Sequence, residues 1–277
     1  MTKSATATGS EFGRREFLLG TAATLGALSA SGASSAAAPE LDLQSAPGRL
    51  RTLIRLQGSL EEVDCPWWYT GTIYGVTADA PPRPLVRFEG LEITRFRRIG
   101  TDRYRLTGRT TSFMKTLAGE PAGAMLNPYT GKTVTPVTNR LGGRGYMLYS
   151  TEGLQAAWGG AEPSPAVPIQ LGVQAFGPDL WISTDRIFPR GLPQPAGEAS
   201  VMRTLRSELA SDAPSVSASF SSTNLAPWPH WMEMADHPGH VFWHADGLKL
   251  ARIEQLPPDF LDRMRKENPE QLQAPRE

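Results

Sequence analysis

All four histidines of this 277-residue chain lie between positions 230 and 244. They are His230, His237, His240 and His244, in a run that also holds Trp231, Glu233, Asp236 and Trp243. Histidine titrates nearest neutral pH, so it suits both proton transfer and metal ligation. With two interspersed carboxylates, the run has enough donors for a zinc-type site. On a helix, His240 and His244 would stand one turn apart and chelate. Yet Pro238-Gly239 before them and Ala245-Asp246-Gly247 after them read as turns, and Val241-Phe242-Trp243 between them favours a strand. On a strand the two residues stand about 13 Å apart, too far to share an ion. A site built from His237, His240 and Asp236 across the Pro-Gly turn is kept as the metal alternative, and the leading expectation holds no metal.

The leading expectation is acid–base chemistry. His244 would act as general base or acid at a strand end beside Trp243 and Asp246. An acidic partner, Glu89 or Asp185, would come from across the fold. Arg95 and Arg87 are candidates for an inward guanidinium that holds a carboxylate or phenolate. Tryptophan walls would desolvate such a group and move its pKa toward neutrality. No Gly-x-Ser-x-Gly elbow, phosphate loop or dinucleotide fingerprint occurs, so lyase or isomerase chemistry without a cofactor is expected rather than hydrolysis. Cys65, the one cysteine, cannot form an internal disulfide and reads as a packed side chain beside Pro66-Trp67-Trp68.

Aromatic residues mark the pocket. Trp67, Trp68 and Tyr69 form one patch, Trp228 and Trp231 another. Consecutive residues of a strand face opposite sides, so one of Trp67 and Trp68 must face whatever the sheet encloses. Trp68, Tyr69, Trp228 and Trp231 are the expected ligand-binding residues. An apolar cavity with a few polar groups is the usual form of a small-molecule site.

The elements that must hold these residues are mainly strands. Runs at 51–56, 67–76, 85–89, 91–99, 104–114 and 132–137 are extended in pattern, separated by turn signals at Gly90, Gly100-Thr101-Asp102 and Asn127-Pro128-Tyr129-Thr130-Gly131. Further strand-like runs follow at 167–176, 180–187, 216–222 and 240–243. The spacing predicts an antiparallel meander, closing into a lipocalin-like barrel or a strongly curved sheet. Two short helices are expected, one over Ala199–Ala210 on the spacing of Val201, Met202, Leu205 and Leu209, and one over Asp259–Lys266. The tail from Asn268 reads as frayed. With 27 Gly and 24 Pro the chain is rich in turns.

Net charge is zero, so no global field favours nucleic acid or an anionic membrane. Eight arginines between Arg83 and Arg109 reflect a chain-wide preference for Arg over Lys, and several alternate outward on a strand. Nucleic acid is not an expected partner. Arg14-Arg15-Glu16-Phe17-Leu18-Leu19 resembles a twin-arginine motif, departing from it at Gly13 and Leu19. A weakly apolar stretch and the small residues Ser34-Ser35-Ala36-Ala37-Ala38 follow, as in a cleaved export signal. The expected organisation is a signal over 1–38, one β-rich ligand-binding domain over 39–256, and a C-terminal helix and tail over 257–277. The twin-arginine export machinery is then a partner, the location periplasmic or secreted, and no membrane span remains after cleavage.

Several ordered blocks resemble the bacterial family designated domain of unknown function 1838. They are Trp67-Trp68-Tyr69-Thr70-Gly71-Thr72-Ile73-Tyr74-Gly75, Leu85-Val86-Arg87-Phe88-Glu89-Gly90 and Asn127-Pro128-Tyr129-Thr130-Gly131. Thr223 to Met232 and Pro238 to His244 complete the set, which spans about residues 50 to 256. The resemblance implies a shared fold and, in many members, a twin-arginine signal. It supplies no settled reaction, and it implies more weight on His244 than on His230, His237 or His240. The expectation is an exported protein whose pocket takes a small hydrophobic or aromatic compound. It acts either as a lyase or isomerase using His244, Glu89 and Arg95, or as a carrier without chemistry.

Overall fold

The computed structural model describes residues 41–142, 145–158, 162–187 and 197–276; the proposed signal lies outside them. The first element among the described residues is helix α1, Ala46–Gln57. Ser45 caps it by accepting a hydrogen bond from Gly48 N, Pro47 opens its first turn, and Leu50, Leu53, Ile54 and Leu56 are buried. The extended segment expected over 51–56 is therefore helical. The spacing of 50, 53 and 54 is a helical one, and the cap lies upstream of the apolar run.

Strands follow as a meander: β1 Cys65–Thr77, β2 Ala80–Gly100, β3 Arg103–Lys115, a small β4 Met125–Leu126 with β5 Thr133–Val134, then β6 Asn139–Gly142, β7 Gly145–Ser150, β8 Gly153–Trp158, β9 Gly172–Phe176, β10 Asp179–Ile187 and β11 Gly197–Leu205. After a short helix α2, Arg206–Ala210, come β12 Ser219–Ala226, β13 His240–Lys249 and helix α3, Pro258–Glu267. The main sheet runs in the order β8-β7-β3-β2-β1-β13-β12-β11-β10-β9, with β6 beside β3. Each pairing is antiparallel. Among the described residues no ladder joins β8 to β9, so no closed barrel is formed there; a single bridge, Leu154 to Val167, lies near that gap.

The two wings of the sheet meet in the core. One cluster contains Phe96, Tyr104 and Tyr149 from one wing of the sheet and Leu180, Ile182 and Met202 from the other, with α1 between them. The two wings thus share one interior, and α1 fills one end of it. Arg55 is buried in this region, its guanidinium donating to the carbonyls of Leu209, Ser211 and Ala213 at 2.8, 2.8 and 2.7 Å. Lys249 Nζ donates to Arg55 O at 2.8 Å and Ser215 Oγ at 2.7 Å, at the C-terminal end of α1. Burial lowers this ammonium to about 8.

The helix expected over Ala199–Ala210 is replaced by strand β11, and only 206–210 is helical. Pairing on both sides decides it: Met202 stands opposite Ile182 on β10 and Phe220 on β12. Helix α3 matches the expected terminal helix, and α1 is the helix beyond the two expected. It covers the outer face of β1–β3, where Phe260, Leu261 and Met264 pack with Leu91, Ile93 and Phe113. The tail is ordered rather than frayed. A 3-10 turn at Pro269–Leu272 leads to a buried Ala274, whose N–H donates to the Asp64 carboxylate at 3.4 Å. Among the described residues, no helix is long and apolar enough to cross a membrane.

Candidate functional site

The concave face encloses a cavity of about 520 Å³. Residue parity sets its walls. On β1, Trp67 and Tyr69 face in; their cross-strand partners Glu92 and Gly90 carry that face onto β2, and Thr110 and Ser112 carry it onto β3. On the other wing, Trp243 and Ala245 of β13 stand opposite Asn224 and Ser222 of β12. Gln57, the last residue of α1, forms part of the floor. Its backbone carbonyl accepts Trp67 Nε1 at 3.0 Å, and its side-chain carbonyl accepts the Tyr149 hydroxyl at 2.9 Å.

Why the sheet is hollow here follows from three inward glycines. A Cβ at Gly90 would lie 2.3 Å from the Tyr69 ring, one at Gly71 2.4 Å from Phe88, and one at Gly247 2.3 Å from Phe220. Each ring therefore reaches over a glycine of the neighbouring strand. The resulting lining is aromatic: Tyr69 and Phe88 meet at 6.0 Å, Phe88 and Trp243 at 5.2 Å, Trp67 and Phe220 at 5.5 Å between ring centres.

Gly90 has a second effect. By letting Tyr69 lie across β2, it brings the phenol to β3, where Tyr69 Oη and Ser112 Oγ are 2.9 Å apart. Both are buried, Tyr69 at 7% and Ser112 at 2% exposure. Burial pushes the Tyr69 phenol well above its ordinary value, the Ser112 hydrogen bond opposes this, and the charge of Glu92 adds to it. The phenol stays protonated across the biological pH range. Glu92 lines the same wall two residues along β2, and Glu198 lines the opposite wing. Among the described residues no His, Lys or Arg lines the cavity.

Of the residues singled out from sequence, Tyr69 lines this cavity. Trp68 faces the other side, packed against the cluster under α3. Trp228 is buried beneath the wall, its ring 5.3 Å from Tyr129 and its Nε1 donating to His237 O at 3.1 Å; Trp231 packs on that same cluster. His244 is on the convex face, 43% exposed, with Nδ1 3.3 Å from Thr223 Oγ1 and Nε2 3.8 Å from Asp246. Glu89 also points outward and pairs with Lys115 at 2.7 Å, while Arg95 pairs with Asp64 at 2.8 Å. Arg87 is exposed.

The structure does not bring the proposed proton-transfer set together. His244 stands opposite Thr72, which stands opposite Arg87, so two strand spacings, about 10 Å, separate it from β2. Arg95 lies a further six residues beyond Glu89, about 20 Å along the strand. Asp185 is on β10, with its side chain outside the described structure. Among the described residues, no group of three or more His, Cys, Asp or Glu converges to hold a metal, so His237, His240 and Asp236 do not form one. Cys65 is buried, and burial raises its thiol pKa.

The residues that sequence reading missed are Trp67, Phe88, Glu92, Ser112, Phe220 and Trp243. Trp67 was findable by parity with Tyr69. Trp243 would have followed once β13 was paired with β1, because Trp243 stands opposite Ile73, four residues from Tyr69 on the same face.

No curated protein matches the chain significantly. A family model described as a protein of unknown function, DUF1838, matches residues 62–277, which takes in every strand of the main sheet and the C-terminal helix. The chain belongs to that family.

Proposed function

We propose that this is an exported, periplasmic or secreted protein that binds a small hydrophobic or aromatic compound inside a barrel-like cup and catalyses proton transfer on it, as a cofactor-independent lyase or isomerase. The observation that carries the reading is the cavity itself: about 520 Å³, walled by aromatic rings, with a carboxylate and a buried hydroxyl pair on one wall. Its volume falls in the usual range for a site that takes a drug-sized compound, with room to spare for two fused rings. Glu92 is the proton-transfer group of this reading, because it stands inside the cavity while His244, Glu89 and Arg95 stand on the convex face. Carboxylates serve as acids and bases in water-poor sites, and such a group contributes about 10² to 10⁴ in rate.

Native mass spectrometry of the mature protein from an exporting host is the first test. An organic mass at unit stoichiometry is expected, and it identifies the compound to assay. Glu92→Gln should then lower turnover by about 10² or more, with His244→Ala close to wild type. Full activity in Glu92→Gln, or loss in His244→Ala, refutes this assignment. A carrier is the second reading, favoured by how much of the lining is aromatic. It predicts quenching of Trp67 and Trp243 fluorescence by the compound with no product on long incubation.

A further inference from the structure

The Tyr69–Ser112 pair has a hydrogen to spare. The two hydroxyls carry two hydrogens between them, and their mutual bond at 2.9 Å uses one. Whichever residue donates, the other keeps a hydrogen, and among the described residues neither side chain has a further acceptor. A buried donor without an acceptor is costly, about 1 to 3 kcal/mol, and here both groups are more than nine-tenths buried and border the cavity. The Glu92 carboxylate acts on Tyr69 as a nearby charge and not as its hydrogen-bond partner.

We infer that the ligand is a carbonyl compound whose oxygen accepts the spare hydrogen of the Tyr69–Ser112 pair, with its apolar body against Phe88, Phe220 and Trp243. The inference rests on the cavity reading above and narrows it from any hydrophobic compound to ketones, aldehydes, esters or quinone-like molecules. The placement also fits the proposed chemistry. Glu92 takes a proton from the carbon beside the carbonyl, the C–H electron pair becomes part of a C=C bond, and the carbonyl π pair moves onto oxygen as an enolate. The enolate oxygen is then held by the same donor, which is stronger there than on the neutral ketone. Where a second C=C is conjugated with the enolate, as in a dienolate formed from a β,γ-unsaturated carbonyl compound, return of that proton from Glu92 to the γ carbon re-forms the C=O, moves the C=C into conjugation and restores the carboxylate, with no net oxidation.

The test uses two probes of nearly equal size, 2-acetonaphthone and 2-ethylnaphthalene, titrated calorimetrically into the full mature protein. The ketone should bind about tenfold more tightly, the value of one hydrogen bond. Its carbonyl stretch should move to lower frequency on binding to wild type, a readout that needs no variant. Each single variant, Tyr69→Phe or Ser112→Ala, keeps one hydroxyl hydrogen and should keep part of the preference. The double variant should bind both probes equally. Equal binding of the two probes to wild type, or an unshifted carbonyl stretch, overturns the carbonyl assignment and leaves the cavity reading intact. If neither probe binds, the cavity reading falls and takes this inference with it.

Discussion

Gly90 shows how much one missing side chain can determine. Glycine inside a strand normally weakens it, and from sequence Gly90 reads as a break between two strands. Instead β2 runs through it, and the Tyr69 ring occupies the place of its side chain. In Gly90→Ala the new Cβ meets ring carbons and the phenol oxygen of Tyr69, so the phenol must leave Ser112. We expect a loss of about 1 to 3 kcal/mol in urea denaturation and a larger proportional loss in ligand affinity; unchanged affinity would mean the phenol is not part of the site. Tyr69 itself was legible because an aromatic run on a strand places alternate residues inward. Its partner Ser112 was not, since nothing local marks a serine that a ring from two strands away will reach. The same holds in reverse for His244: its chemistry is visible in the sequence, but the parity of β13 turns it outward.

Lys249 gives a prediction of opposite character. Its ammonium is lowered to about 8 from an ordinary 10.5, chiefly by burial. Between those values the unfolded chain holds more protons than the folded one, so stability contributed by this group rises with pH from about 8 to 10.5. Below pH 8 both states are protonated and the contribution is flat. The difference in melting temperature between wild type and Lys249→Met should therefore shift in favour of wild type across that window. A difference independent of pH would mean that the hydrogen bonds to the end of α1 fully offset the burial.

At the level of elements, periodicity identified α3, missed α1, and failed at β11, where two neighbouring strands decide the structure. Helix α3 was readable because Pro257-Pro258 opens it, Asp259 and Arg265-Lys266 fall at the favourable ends, and Phe260, Leu261 and Met264 form one stripe. That stripe seals the outer face of β1–β3. Phe260→Ala should cost about 3 to 5 kcal/mol, seen as a lower urea midpoint, and should leave probe binding in the cavity unchanged at low temperature. Loss of binding in step with stability would tie the two faces together. In β11, by contrast, Val201, Met202, Leu205 and Leu209 mimic a helical stripe, yet β10 and β12 flank the segment and select a strand. Tertiary pairing of that kind is absent from any local window. The ordered tail was missed for the same reason: its partners, Asp64 and the Thr107 hydroxyl that donates to Pro275 O at 3.3 Å, lie over 160 residues away.

For the whole molecule, turn-rich composition and strand spacing were enough to anticipate an antiparallel, mainly β fold. The order of the strands was not, because it depends on which edges meet after the meander curls. The central seam of the sheet joins β1, residues 65–77, to β13, residues 240–249. During synthesis β1, β2 and β3 can pair as soon as they emerge, but β1 must wait with one edge open until nearly the entire chain has left the ribosome. Such long-range pairing makes folding slow. It also makes completion an all-or-none event: a chain cut short before residue 240 lacks the strand that joins the two wings and cannot enclose the cavity. For a protein proposed to be exported by the twin-arginine route, which carries folded chains, the seam would separate finished molecules from unfinished ones, because closing it needs residues 240–249.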